Sequence, residues 1–201
     1  MLNLTARQQE IVTASLNIIS QKGLDYLTIA TLSKSLNVTE GALYKHFKSK
    51  EEIISVVAEF THQKFDEAIK SITESPLTDM KKLKEIFIDR CRVISEKPEL
   101  IMTMHSMSVF AGYQELSIMI IKSIDAYKKT VMNVILECQA KKVIDPAIDP
   151  EHIFSIITGT LHYFITRWQK RSGGFDLVAE GEKLWVTVEG FITYKKSIFH
   201  K

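Results

Sequence analysis

Residues 28–47 read TIATLSKSLNVTEGALYKHF, and the punctuation of this stretch decides the fold. Thr28 stands where a hydroxyl can cap a helix, and Ile29, Leu32 and Leu36 then recur at helical spacing. Asn37 follows, a residue type that tolerates the left-handed conformation of a tight turn. Thr39 can cap a second, shorter helix running through Lys45, with Leu43 and Phe47 turned to a core. Two short helices joined by three or four residues make the layout of a helix-turn-helix.

The chemistry of the second helix fits that layout. Once Leu43 and Phe47 are buried, Glu40, Gly41, Ala42, Tyr44, Lys45 and His46 remain for the outward edge. Small residues at Gly41 and Ala42 let a helix enter the major groove closely, and Ala42 can touch a thymine methyl.

Working outward, the rest of the chain reads as helix. Thr5–Lys22 carries Ile11, Ala14, Ser15, Ile18 and Ile19 at helical spacing, with Gly23 placed as a C-terminal cap. Ser49 and Glu52 have the spacing of a capping box and open a long helix to about Ile72. Glu74-Ser75-Pro76 breaks it, and further helices are expected over Asp79–Ser95, Pro98–Phe110, Glu115–Lys141, Pro150–Arg171 and Asp176–Phe199. The expected fold is therefore all-α. A three-helix DNA-binding domain over residues 1–50 is followed by a larger helical domain over residues 51–201.

The last two helices are apolar on more than one side. Ile153, Ile157, Leu161, Phe164 and Trp168 form one row, and Leu177, Gly181, Leu184, Val188 and Phe191 form another, with Trp185 and Ile192 beside it. Faces this wide call for two packing partners, one of them a second subunit.

Composition narrows the function classes. Of 201 residues, 45% are hydrophobic and 25% charged, which is ordinary for a globular chain. No apolar run approaches the length of a membrane span, and the first 22 residues lack a secretory pattern, so a cytoplasmic protein is expected. Cys91 and Cys138 are far apart and outside any CxxC spacing, so neither a metal site nor a cofactor is expected. Net charge is +2, with six Lys/Arg against three acids in residues 1–50 (+3) and hence −1 over the other 151. A basic end on a near-neutral body suits contact with nucleic acid at that end.

The segment Asn37-Val-Thr-Glu-Gly-Ala-Leu-Tyr-Lys-His-Phe-Lys-Ser-Lys-Glu-Glu-Ile53 resembles the signature of TetR/AcrR-type repressors. Gly23-Leu-Asp-Tyr-Leu-Thr28 is similar to that family's link between its first two helices. Residues 144–192 also look like one C-terminal subtype, with a Pro-Glu-His start and a later Leu-Trp pair. The chain departs from the pattern in four places. Asn37 replaces a usual Gly, Ser33 a usual Ala and Leu24 an aromatic, while Ala30 stands where a polar residue is common.

The resemblance implies a repressor on a palindromic operator in double-stranded DNA. Thr28, Thr39, Tyr44 and Lys50 would hold phosphates, and Glu40, Gly41, Ala42, Lys45 and His46 would face bases or the groove wall. It also implies a homodimer joined through the last two helices, with Ile153, Ile157, Leu161, Phe164, Leu184, Trp185 and Val188 as the candidate interface. A small-molecule effector would bind among the central helices. Met102, His105, Phe110, Tyr113, Tyr127 and His162 are the candidates, in a stretch suited to a hydrophobic ligand.

Two rival readings are an enzyme and a helical adaptor whose N-terminal fold no longer reads DNA; Tyr44, Lys45 and Lys50, which a core does not require, speak against the adaptor. Glu59-x-x-His62 matches half of a di-iron carboxylate motif, and Asp149-x-x-His152 is the one other pair of that spacing. No HExxH, GxSxG or phosphate-cradling glycine loop accompanies them.

Overall fold

The structure is a computed structural model that describes residues 2–105, 110 and 112–193. Its helices are α1 (Ala6–Lys22), α2 (Ile29–Ser35), α3 (Glu40–Tyr44), α4 (Lys50–Glu74), α5 (Asp79–Glu96), α6 (Gln114–Ala140), α7 (Pro150–Lys170) and α8 (Leu177–Ile192). Two 3-10 segments, Leu24–Tyr26 and Pro98–His105, complete the order. None of the described helices is long and apolar enough to cross a membrane.

The chain forms two compact units, residues 1–67 with 97–124, and residues 68–96 with 125–201. The boundary expected at residue 50 is the start of α4, inside the first unit.

Side-chain caps place the helices of the first unit. Thr5 accepts the Gln8 N–H while the Gln8 side chain takes the Thr5 N–H, a reciprocal box that starts α1. Gly23 ends it at φ 94, a conformation open to glycine. Ser49 accepts the Glu52 N–H at 3.2 Å, and the Glu52 carboxylate accepts the Lys48 N–H, so α4 begins where its capping residues stand. Ile11, Val12, Leu16, Leu27, Leu32, Leu43, Phe47, Ile54 and Val57 are all buried in this unit. The segment Pro98–His105 packs against α1 with Leu100 and Ile101 in the core. It is wound as a 3-10 helix, where an α-helix to Phe110 was expected.

The second unit is built around α5, α7 and α8. Phe87 and Trp185 pack with ring centroids 5.6 Å apart. At Gly181 an added Cβ would lie 3.1 Å from Cys91 Sγ, so α5 and α8 meet where α8 has no side chain. Ion pairs Lys84–Glu182 and Lys141–Asp79 tie the elements together. The last helix stops at Ile192, where the sequence suggested continuation to Phe199. The Ile192 carbonyl accepts the Asp145 N–H at 3.0 Å, and Thr193 is extended and bridges Ile144. That carbonyl is the group a further turn would have used. Residues 194–199 of the expected helix lie outside the described residues.

Candidate nucleic-acid interface

The turn between α2 and α3 is held by its own backbone. Leu36 N–H donates to Leu32 O, Val38 N–H to Ser33 O, and Asn37 sits between them at φ 53. That left-handed value is what the sequence position asked of an Asn. Ser33, in the place of an alanine, is buried and donates its hydroxyl to Ala30 O at 3.0 Å, so no polar group is left open under the turn. Leu32, Leu43 and Phe47 are each 2% exposed or less and fix the crossing of the two helices.

With those residues buried, the other edge of α3 is outside. Glu40, Gly41, Tyr44 and Lys45 are exposed, and Ala42 and His46 are half-buried. Tyr44 holds 52% of its surface open, unusual for an aromatic beside a packed Phe47. Thr28 and Thr39 are exposed and serve as helix caps, accepting the N–H groups of Thr31 and Ala42. A hydroxyl that accepts a cap bond keeps its own proton to donate. Lys50, half-buried, is the first residue of α4 beside Glu51 and Glu52. The Glu51 carboxyl is held below the usual range by a backbone N–H, by Ser49 and by Lys50. All nine residues lie between the cap of α2 and the first residue of α4, with α3 between them.

Two contributors escaped the sequence reading. The Gln8 side-chain amide donates to His46 O at 3.3 Å, reaching from α1 to the end of α3. The signal was present as Thr5-x-x-Gln8, the spacing of a capping box. Tyr26, 60% exposed in the turn before α2, accepts the Thr31 hydroxyl on its carbonyl at 2.7 Å.

The candidate effector residues divide between the units. Phe110 is buried and Tyr113 half-buried in the first; Tyr127 and His162 are half-buried in the second. Tyr127 packs against Phe154 at 6.1 Å, with the Arg90 guanidinium 6.0 Å over its ring, and burial pushes its hydroxyl up in pKa. The side chains of Met102 and His105 lie outside the described residues.

The candidate dimer row is largely spoken for. Ile153, Ile157, Leu161, Phe164, Trp185 and Val188 are buried within the chain, and the Trp185 indole donates to Glu189 at 2.8 Å. Periodicity found the row but not which neighbour it meets. The outward faces of α7 and α8 carry Ile156, Tyr163 and Phe191 instead, exposed by 38%, 69% and 73%. Leu184 lines an open cleft of about 310 Å³ there, with Thr160, Tyr163, Arg167 and Thr187. Of the rival metal pairs, Asp149 caps α7 by accepting the Glu151 N–H at 2.8 Å.

Residues 11–57 match the family of bacterial regulatory proteins described as the tetR family. The fatty acid metabolism regulator protein of Bacillus subtilis is 22% identical, over 86% of this chain and 89% of its own length. The HTH-type transcriptional repressor KstR2 of Mycolicibacterium smegmatis is 21% identical, over 97% and 95%. The solved structure of the ketosteroid transcriptional regulator KstR2 of Mycobacterium tuberculosis has a TM-score of 0.85 at 18% identity, covering 96% of this chain and 98% of that one. FadR from Bacillus subtilis in complex with stearoyl-CoA has a TM-score of 0.72 at 20% identity, covering 92% and 98%. At such identities the structural likeness carries the fold.

Proposed function

We propose, from the premise that residues 11–57 make this chain a DNA-binding regulator of the tetR family, that it is a dimeric repressor released from a palindromic operator by a small hydrophobic effector. The observation that carries the reading is the outward edge of α3, where Glu40, Gly41, Tyr44 and Lys45 stand exposed over a buried Leu43 and Phe47. On this reading Thr28, Thr39, Tyr44 and Lys50 hold phosphates, while Glu40, Gly41, Ala42, Lys45 and His46 face the groove. The chain is a regulator and not an enzyme.

Dimerisation through α7 and α8 uses the outward face with Ile156, Tyr163, Leu184 and Phe191, since the inward rows already pack within the chain. Two copies present two copies of α3, with half-sites about one helical turn apart in the simplest case. The effector has a long or fused apolar body. Relatives named for fatty acid metabolism and for a ketosteroid regulator support that class, as does the stearoyl-CoA bound to one of the similar structures. Within this chain, the Tyr127–Phe154 ring pair with Arg90 beside it offers apolar surface next to a cation.

Selection of genomic fragments on purified protein, then footprinting at two salt concentrations, tests the reading. A protected palindrome with steep salt dependence is expected. Release of that DNA by an acyl-CoA or a sterol acid, with no effect from their short-chain counterparts, completes it. Absence of any enriched fragment would overturn the repressor function.

A further inference from the structure

We propose that Glu40 reads a cytosine in each half-site of the operator, and that Gly41 supplies the clearance that brings it there. This deepens the DNA-binding reading above and rests on it.

Glu40 is the first residue of α3 and is exposed. Among the described residues no hydrogen bond or ion pair engages its carboxylate, while the nearby acids Glu10, Glu51 and Glu52 are engaged with Arg7, with backbone and Ser49, and with Lys48 N–H. An acid on a surface that meets phosphates weakens binding to DNA at large, so its presence at the reading edge calls for a compensating contact. A carboxylate only accepts. In the major groove, donors come from cytosine N4 and adenine N6, and adenine places its N7 acceptor beside N6. An acceptor-only side chain is therefore repelled at adenine and welcomed at cytosine.

Gly41 is the second observation. It has no positive φ, and a Cβ added there would meet nothing within 4 Å. Neither backbone geometry nor internal packing demands glycine, although glycine is among the weakest helix formers. Gly159 and Gly190 stand in equally open space, but Gly41 alone of the three lies on the outward edge of α3, where the open space faces whatever that edge meets. A base pair approached closely by the start of α3 is the occupant that also gives Glu40 its reach.

Selection from random double-stranded DNA with the full-length wild type, Glu40→Gln and Glu40→Ala tests the assignment. The wild type is expected to hold one half-site position as cytosine. Glu40→Gln moves that position toward adenine, since an amide both donates and accepts, and Glu40→Ala leaves it open to any base while other positions stay fixed. Changing the cytosine costs the wild type about tenfold in affinity and costs Glu40→Ala almost nothing. A uniform loss with an unchanged motif in both variants would overturn the cytosine assignment alone. Failure of the wild type to enrich any motif would overturn the DNA-binding reading and this one with it. Gly41→Ala is expected to melt no lower than wild type yet bind the selected site more weakly; full-strength binding by that variant removes the clearance argument.

Discussion

Gln8 of α1 donates its side-chain amide to the main-chain carbonyl of His46, 3.3 Å away and 38 residues further along the chain. The same side chain closes the cap of α1 through the Thr5 N–H. One residue thus ties the start of α1 to the backbone just beyond α3. Gln8→Ala is expected to cost about 1 kcal/mol of stability, the worth of a hydrogen bond and part of a cap. Operator binding should fall more than binding to random DNA, because the tilt of α3 loosens while phosphate contacts remain. Equal losses on both kinds of DNA, measured by fluorescence anisotropy, would leave Gln8 as a helix cap only.

On the proposed reading Tyr44 and Lys50 hold phosphates. Alanine at either position should weaken binding to every sequence. For Lys50 the slope of log affinity against log salt should drop by about one, the signature of one phosphate contact. Titrations at four salt concentrations read this directly. An unchanged slope would place Lys50 outside the interface.

Tyr163 and Phe191 project from the outer faces of α7 and α8. Tyr163→Asp or Phe191→Asp leaves the chain's own core untouched and should give monomers by sedimentation, with the far-ultraviolet circular dichroism of a helical protein retained. Trp185→Asp makes the contrast, since Trp185 is 0% exposed against Phe87 and its replacement should unfold the unit. A stable dimer from both outer variants would move the contact elsewhere.

Cys91 and Cys138 are buried, and burial pushes both thiols up to about 12. Thiol reagents attack the thiolate, so at pH 8 the native protein should release almost no thionitrobenzoate from Ellman's reagent. Two equivalents should appear once denaturant unfolds the chain. Rapid reaction of either cysteine in buffer would show that the core of the second unit opens far more often than its packing suggests.

Local chemistry made the DNA-binding head legible before any coordinates. Thr5, Thr28, Thr39 and Ser49 each cap the helix they precede, and Asn37 takes the left-handed turn. Each cap is a bond between residues three apart and the turn is local to Asn37, so the spacing of letters carries them. What escaped depends on distant partners. The end of α8 is set by a loop amide at Asp145, and the winding of Pro98–His105 by its packing on α1. The rows on α7 and α8 were read correctly as apolar, yet periodicity names a face and not its neighbour. Ile157 and Trp185 therefore turned inward while Tyr163 and Phe191 were left outside.

Gly181 faces Cys91 so closely that a Cβ there would press on the sulfur at 3.1 Å. The two positions are one volume shared by two codons. A larger residue at 181 asks the Cys91 side chain to give way, and a smaller residue at 91 removes that demand before it arises. The pair therefore constrains the sequence in which this protein can drift: its history at one site decides which substitutions are open at the other.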